Sequence, residues 1–440
     1  MIDFTRYHRL LDQANPIRIY GKVSEIIGLV VEGHGPAASI GELCGIFPGG
    51  AGQPLPAEVV GFKKGKVLLM PLQSIQGLSP GCKIVSLGRK ASVNVGKNLL
   101  GRVIDGLGSP IDNKGPLECE IEYPIYADPI NPLERGRITE PVDLGIRALN
   151  GVLCCGKGQR MGIFAGSGVG KSILLGMMAR NTNADVNVIG LIGERGREVR
   201  EFLEKNLGKE GLARSVVVVA GSDMHPLIRM RAAYVATSIS EYFRDLGKNV
   251  LLMVDSLTRF AMAQREIGLS VGEPPAAKGY TPSVFSLLPK LLERSGIMEE
   301  GGSITGLYTI LVEGDDFNEP IADAARSILD GHIVLDRDLA SKNHYPAIDV
   351  LRSISRVMID IVDEEHRQLA SKIINILATH KRAEDLINIG AYVQGSNREI
   401  DYAITMIHRV SAFLKQNINE KIDFNQTKDQ MRALFATSAH

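Results

Sequence analysis

The stretch 160-RMGIFAGSGVGKSILLGMMARN-181 decides how the rest of the chain is read. An apolar, strand-length run, MGIFA, meets a glycine-rich turn, GSGVG, that opens onto the helix-like run SILLGMMAR. A phosphate cradle needs this order, because small residues let backbone N–H groups turn inward and the helix N-terminus adds partial positive charge. The strict pattern G-x-x-x-x-G-K-[ST] wants glycine where Ala165 stands. A methyl group fits there if Ala165 keeps an ordinary strand backbone. Gly166, Ser167, Gly168, Val169 and Gly170, with Lys171, Ser172 and Ile173, therefore read as a nucleotide-binding loop. Lys171 is suited to the β and γ phosphates and the Ser172 hydroxyl to Mg²⁺. The plain alternative is a glycine turn between strand and helix.

Beyond the loop, apolar runs alternate with helical patterns: VNVIGLIG (186–193), SVVVVAG (215–221), IRMRAAYVATSISEYFRD (228–245) and VLLMVDS (250–256). Such alternation predicts βαβ units and a largely parallel sheet with helices on its faces. From Arg18 to about Leu87, short β-branched runs separated by Gly and Pro predict a small β-barrel or sandwich, with GHG at 33–35 as a turn. Between about 90 and 150 the turn residues of GRVIDGLGSPIDNKGP and DPINPLERGRITEPVDLG predict irregular backbone packed on a larger body. From about 357 the pattern is helical: Leu369, Ile373, Ile376 and Leu377 recur at helical spacing, as do Ile400, Ile404, Ile407 and Leu414. The expected architecture is α/β: a barrel over 1–90, a nucleotide-binding domain with its connector over 91–356, and a helical domain over 357–440.

Bulk composition narrows the function. Lys+Arg 50 balances Asp+Glu 50 and aromatic residues are 5%, which argues against an extended basic surface with base-stacking platforms, and so against a nucleic-acid partner. Cys44, Cys82, Cys119, Cys154 and Cys155 are odd in number and form no C-x-x-C, and the opening MIDFTRYHRLLDQ has no signal-peptide apolar core. The expectation is a reduced, cytoplasmic protein that meets a membrane only through partners, since its longest apolar runs are far short of the ~20 residues a spanning helix needs. The histidines form no H-x-x-x-H pair, so zinc and cysteine catalysis are poor candidates.

Hydrolysis needs more than a loop. The run Val250–Val254 delivers Asp255 to the carboxyl end of a strand, where an open parallel sheet places its ligands, and suits a Mg²⁺-side carboxylate acting through water. VNVIGLIGERGRE carries Glu194 and Arg195 out of a strand into a glycine turn. Glu194 could polarise the attacking water with Arg195 near the phosphates, although a charged turn reads equally as a solvated loop.

At this point a resemblance enters. FAGSGVGKS, GLIGERGREV, LLMVDSLTRFAMAQREIGL, GEPPAAKGYTPSVFSLLPKLLERSG, GSITGLYTILVEGDDFNEPIADAARSILDGHIVLDR and YPAIDVLRSISR together resemble the rotary-type ATPase superfamily, and most of all its type III protein-export ATPases. EIIGLVVEGHGPAASIGELC and DLINIGAYVQGSNREID look like the flagellar branch. The resemblance implies an N-terminal β-barrel, a central RecA-like ATPase domain and a C-terminal helical domain. It implies that ATP and Mg²⁺ are served by Lys171 and Ser172, with Glu194 as catalytic carboxylate and Asp255 as the Walker B acid. It also implies that Arg356 is an arginine finger reaching across the interface of a homohexameric ring and that Tyr345 lies beside the adenine. Taken alone, Arg356 would read as a surface-helix cation and Tyr345 as core packing. Glu319 stands in DDFNEP where the family more often shows Asp, which keeps the charge. The expected partners are the flagellar export apparatus, a stator-like regulator at the N-terminal region, and export chaperones and substrates near the C-terminal domain, with the protein peripheral to the inner membrane. Competing readings are an injectisome ATPase, a catalytic subunit of a rotary ATP synthase, a RecA-type RNA translocase and a non-catalytic nucleotide-binding subunit.

Overall fold

A computed structural model describes residues 19–50, 53–119, 121–312, 314 and 316–436. The opening MIDFTRYHRLLDQ and Asp315 of DDFNEP lie outside the described residues. By its contacts the chain divides into two compact units, one holding the N-terminal strands with Ile267–Glu273, the other Ser92–Glu266 and the chain from Pro274 onward.

The first unit is a closed barrel. Its strands are β1 (Tyr20–Ile27), β2 (Val30–His34), β3 (Glu42–Phe47), β4 (Leu55–Lys63), β5 (Lys66–Pro71) and β6 (Lys83–Lys90). They pair in the order β1-β2-β5-β4-β3-β6, and β6 returns antiparallel to β1, so no edge is left to pair with another chain. Alternating side chains such as Val23, Val31, Ile46, Val59, Leu69 and Ile84 fill the interior. One expectation is corrected here: GHG is not simply a turn, because Gly33 and His34 finish β2. A Cβ at Gly33 would stand 2.3 Å from Ile84 Cδ1, so glycine serves close packing inside the barrel.

In the second unit the strands are β7 (Ser92–Val95), β8 (Val103–Asp105), β9 (Ile121–Pro124), β10 (Pro141–Val142), β11 (Cys155–Gly156), β12 (Arg160–Ala165), β13 (Val186–Glu194), β14 (Ser215–Gly221), β15 (Asn249–Asp255), β16 (Gly296–Ile297), β17 (Ser303–Leu311), β18 (Gly331–Leu335) and β19 (Ile348–Ser355). The main sheet runs β19-β18-β12-β17-β15-β13-β14-β8. Its neighbours pair in parallel, except that β19 is antiparallel to β18. Strands buried on both faces carry continuous rather than alternating apolar runs, which is why VNVIGLIG and VLLMV read as they do. The connector expected to be irregular is partly regular: β8 extends the sheet beside β14, and β7 pairs with β9. A three-residue strand set among glycines and prolines has no period to display, so only the neighbouring β14 defines it.

The longer helices are α1 (Arg147–Val152), α2 (Lys171–Asn181), α3 (Pro226–Asp245), α4 (Leu257–Val271), α5 (Pro282–Leu292), α6 (Pro320–Ile328), α7 (Glu364–Asn388), α8 (Arg398–Leu414) and α9 (Phe424–Ala436). On α7 the expected stripe is inside, with Leu369, Ile373 and Ile376 buried and Leu377 packed beside them. On α8 the buried stripe is instead Ala403, Met406, Val410, Phe413 and Leu414, with Ile400, Ile404 and Ile407 half-buried at its margin. Small Ala403 lets the two helices approach, a choice that hydrophobicity alone does not signal. These residues join Leu174, Leu175 and Ile333 in one core, so the C-terminal helices pack on the nucleotide-binding body. Among the described residues no helix is long and apolar enough to cross a membrane.

A fully buried cation ties the connector to this body. The Arg294 side chain is 0% exposed. Its Nε and Nη2 donate to Glu241 at 2.8 and 2.5 Å, and its Nη1 donates to the Ile125 carbonyl at 2.6 Å. Removing one member of a buried pair strands the other's charge, which costs about 3–5 kcal/mol. Arg294→Met should lower unfolding stability in urea by that amount, and the double change Arg294→Met/Glu241→Leu should recover most of it; an unshifted urea midpoint for the single variant would contradict this.

Candidate active site

The loop leaves β12 as its sequence anticipated. Ala165 remains strand, buried, and its carbonyl accepts from Val312 N at 3.1 Å. Gly168 and Gly170 take φ of +81° and +93°, left-handed backbone that favours glycine. Gly170 caps α2, whose first turn holds no acidic residue, so its N-terminal positive end has no carboxylate partner there.

Three adjacent parallel strands, β13, β15 and β17, deliver the charged and polar groups to one edge. Lys171, at the start of α2, is ion-paired through Nζ with Asp255 Oδ1 and reaches Glu194 Oε1 at 3.4 Å. The Asp255 side chain is 3% exposed and also accepts from Thr309 Oγ1 at 2.6 Å. Burial disfavours the Lys171 charge, but Asp255 and Glu194 outweigh it and hold the ammonium above its ordinary pKa. Glu194 moves the other way: burial, helped by the nearby Asp255 charge and opposed by Lys171, pushes its carboxyl up to about 7. A carboxyl titrating there is poised to exchange a proton near neutral pH.

The two neighbours not signalled by any motif are Thr309 and Arg259. Thr309 lies within an apolar strand pattern, and only strand pairing sets it against Asp255. Arg259 lies in the first turn of α4, and its stem packs on Gly193, where an added Cβ would meet Arg259 Cβ and Cγ at 3.0 Å. Its buried Nε has no hydrogen-bond partner among the described residues. The cue in the sequence was its place one helical turn beyond Asp255.

Other expected residues stand apart. Arg195, expected near the phosphates, has a side chain 82% exposed and paired with Glu198 at 3.4 Å, because it precedes a short helix that turns it outward. Tyr345 is not core packing: it is 41% exposed, and its ring lies over Gly170, 3.5 Å from where a Cβ would stand. It borders a cavity of about 690 Å³ with Val169, Ile173, Ala347, Gln416 and Ile418. Arg356 is not in a helix but in the exposed turn after β19. Because β19 runs antiparallel to β18, with Ser355 opposite Gly331 and Gly331 opposite Met161, Arg356 sits at the sheet edge away from its own loop. Glu319 precedes α6 as its N-cap residue. Burial pushes the Cys44 thiol up to about 11 and holds Cys154 and Cys155 well above the ordinary range, whereas at Cys82 burial is outweighed by hydrogen bonds from Ser79, which lower the thiol below its ordinary value. Among the described residues no cluster of three or more His, Cys, Asp or Glu could hold a metal by itself.

Comparison with known proteins agrees with this geometry. Residues 145–355 match the ATP synthase alpha/beta family, nucleotide-binding domain, and residues 23–88 match its beta-barrel domain. The flagellum-specific ATP synthase of Bacillus subtilis (strain 168) is 54% identical over 417 residues, 93% of this chain and 94% of that protein. The chain belongs to the ATP synthase alpha/beta family. It is an ATPase of that family, and the implied nucleotide is ATP. Within the family its C-terminal helices, residues 362–433, match the T3SS EscN ATPase C-terminal domain. The type 3 secretion system ATPase of Xanthomonas euvesicatoria is 50% identical, covering 95% of this chain and 94% of that one. Among solved structures, the assembled ATPase EscN from the type III secretion system of enteropathogenic E. coli superposes with a TM-score of 0.89 at 46% identity, over 94% of this chain and all of that one. The barrel, nucleotide-binding and helical regions expected from the sequence are thus those of the family.

Proposed function

We propose that this ATPase energises flagellar protein export, hydrolysing ATP at the interfaces of a homohexameric ring. The observation that carries the chemistry is the Lys171 ammonium seated between Glu194 and Asp255 at the mouth of a glycine-capped helix. In this reading the loop N–H groups and Lys171 bind the β and γ phosphates, and Tyr345 and Ile173 flank the adenine in the adjoining cavity. Glu194 accepts a proton from the attacking water, and Arg259 faces the charge that develops on the phosphoryl group. The Ser172 hydroxyl and, through water, the Asp255 carboxylate suit Mg²⁺, which keeps most of its waters and takes few protein oxygens; when bound it neutralises phosphate charge. Arg195, turned to solvent and paired with Glu198, has no part in a single chain's site.

The export role follows from the relatives' names, and the T3SS match over 362–433 favours it over an ATP synthase subunit. The injectisome reading keeps support from the 50% identity to a type 3 secretion system ATPase. Restoration of motility in Bacillus subtilis lacking its flagellum-specific ATP synthase separates the two: recovery supports the flagellar role, and no recovery despite normal expression counts against it. On the same reading the protein works in the cytoplasm, peripheral to the export apparatus at the inner membrane. Its proposed partners include a stator-like regulator at the N-terminal region and export chaperones and substrates near the C-terminal domain.

Glu194 gives the chemical test. Glu194→Gln keeps the shape and removes the base, so turnover should fall about 10²–10⁴-fold with ATP affinity within a few-fold. In the parent protein kcat/KM should rise with pH as Glu194 ionises, with a midpoint near 7, and that limb should vanish in the variant. Parallel loss of binding and turnover would make Glu194 structural instead.

A further inference from the structure

One wall of the cavity beside the loop is built from the far end of the chain, by the segment that follows α8. Gln416 in that segment is 6% exposed, and its N–H donates to the Tyr345 carbonyl at 2.9 Å. Its side-chain amide is engaged by the protein itself. Oε1 accepts from Arg147 N at 2.8 Å, while Nε2 donates to the Gly145 carbonyl at 2.8 Å and to the Glu420 carbonyl at 3.1 Å. Both of its N–H donors are used, and its oxygen already accepts from the backbone.

Arg147, the first residue of α1, is 8% exposed. Its Nη1 donates to the Phe413 and Lys415 carbonyls at 3.1 and 3.0 Å, and its Nη2 forms an ion pair with Glu420. Carbonyls at a helix C-terminus have no partner within the helix, and a cation there also suits the helix dipole. Arg147 thus ends α8 and aims the chain that leaves it. The two side chains share one hydrogen-bonded network, so the segment that lines the cavity with Tyr345 is held by groups that are themselves tied at several points, although the buried Arg147 Nε has no partner among the described residues.

We infer that Arg147 and Gln416 are positioning residues of the ATP site, holding the 415–420 segment against Tyr345 in the wall of the cavity and so setting affinity for the base without bonding to it. The inference rests on the nucleotide reading given above. Its consequence is selective: a loosened wall weakens what the base contributes to binding and spares what the phosphates contribute. A purely architectural role would weaken both together.

The experiment compares ATP with inorganic tripolyphosphate, which has no base, on the full-length protein. For Gln416→Met and for Arg147→Met, KM for ATP should rise about tenfold, the size of one or two lost hydrogen bonds, with kcat at saturation within about threefold. The inhibition constant of tripolyphosphate against ATP hydrolysis should stay within about twofold, because the phosphate contacts are untouched. Arg147→Lys keeps the charge and part of the donor set, and should recover at least half of the lost affinity; if the Met variants fail to fold, it carries the same comparison at a shift of about threefold. Equal loss of ATP and tripolyphosphate affinity, or a fall in kcat at unchanged KM, overturns the positioning role. A Lys171→Ala protein that still hydrolyses ATP overturns the site itself and this inference with it; a Lys171→Ala protein without turnover, beside Met variants that bind ATP normally, overturns the inference alone.

Discussion

Arg356→Ala is expected to leave ATP bound at the loop and to lower turnover about 10³–10⁵-fold, the contribution of an arginine that meets transition-state charge. The expectation comes from the family resemblance, and the placement is compatible with it. β19 begins beside the loop, near Tyr345, and ends at the opposite edge of the sheet, so Arg356 is exposed and far from its own Lys171. A loop that meets it would have to come from another copy, in the head-to-tail ring proposed above. Activity per subunit of the parent protein should then rise steeply with concentration, and that rise should disappear in Arg356→Ala. Mixing Arg356→Ala with excess Lys171→Ala subunits supplies an intact loop from one chain and an intact arginine from the other. Partial recovery of hydrolysis supports a shared site; no recovery despite demonstrated co-assembly rules out action across subunits.

Lys171→Ala should abolish measurable turnover, by at least the ~10²–10³-fold that removal of one preorganised donor costs, while the fold persists. Thr309 still donates to Asp255, so that buried carboxylate keeps a partner. The structure adds a pH signature. Lys171 is the cation that holds the Glu194 pKa down against burial and the Asp255 charge. Without it the folded-state pKa of Glu194 climbs above about 7, farther from its ordinary 4.5. A carboxyl whose pKa is raised by folding favours the folded state when protonated, so stability is full below the unfolded value and is lost as pH rises through the folded one. The variant should therefore lose more stability than the parent between about pH 6 and 8, as read by thermal unfolding. Near-normal hydrolysis, or a stability gap that narrows across that range, would show that Lys171 does not sit in this charge cluster.

Much of the site was legible before any coordinates. A loop of glycines between a strand and a helix declares itself locally, because the backbone it requires and the helix that follows are written in consecutive residues. Asp255 was flagged for a similar reason, since a continuous apolar run ending in one carboxylate marks the edge of a strand buried on both faces, while for Glu194 the charged turn read equally as a solvated loop until the resemblance was added. The barrel strands, the parallel sheet and the C-terminal helices rest likewise on short-range periodicity. Short-range pattern also misled, at the connector and at two further points. Glycine at 33 suggested a turn where it serves close packing against Ile84, and the stripe of α8 was set by small Ala403 rather than by its isoleucines.

What periodicity cannot carry is which distant residues meet. Thr309 binds Asp255 only because β17 pairs beside β15, and Arg259 covers Gly193 only because β15, which leads into α4, pairs beside β13. Arg147 and Gln416, 269 positions apart, become one network through the docking of α8 on the nucleotide-binding body. Local propensity therefore determined where the loop, strands and helices lie, since each depends on neighbours a few residues away. Tertiary packing decided the surroundings of the charges, and with them the neutral-range pKa of Glu194, the outward turn of Arg195 and the separation of Arg356 from its own loop, because burial and Coulomb interaction depend on distance in space and not along the chain.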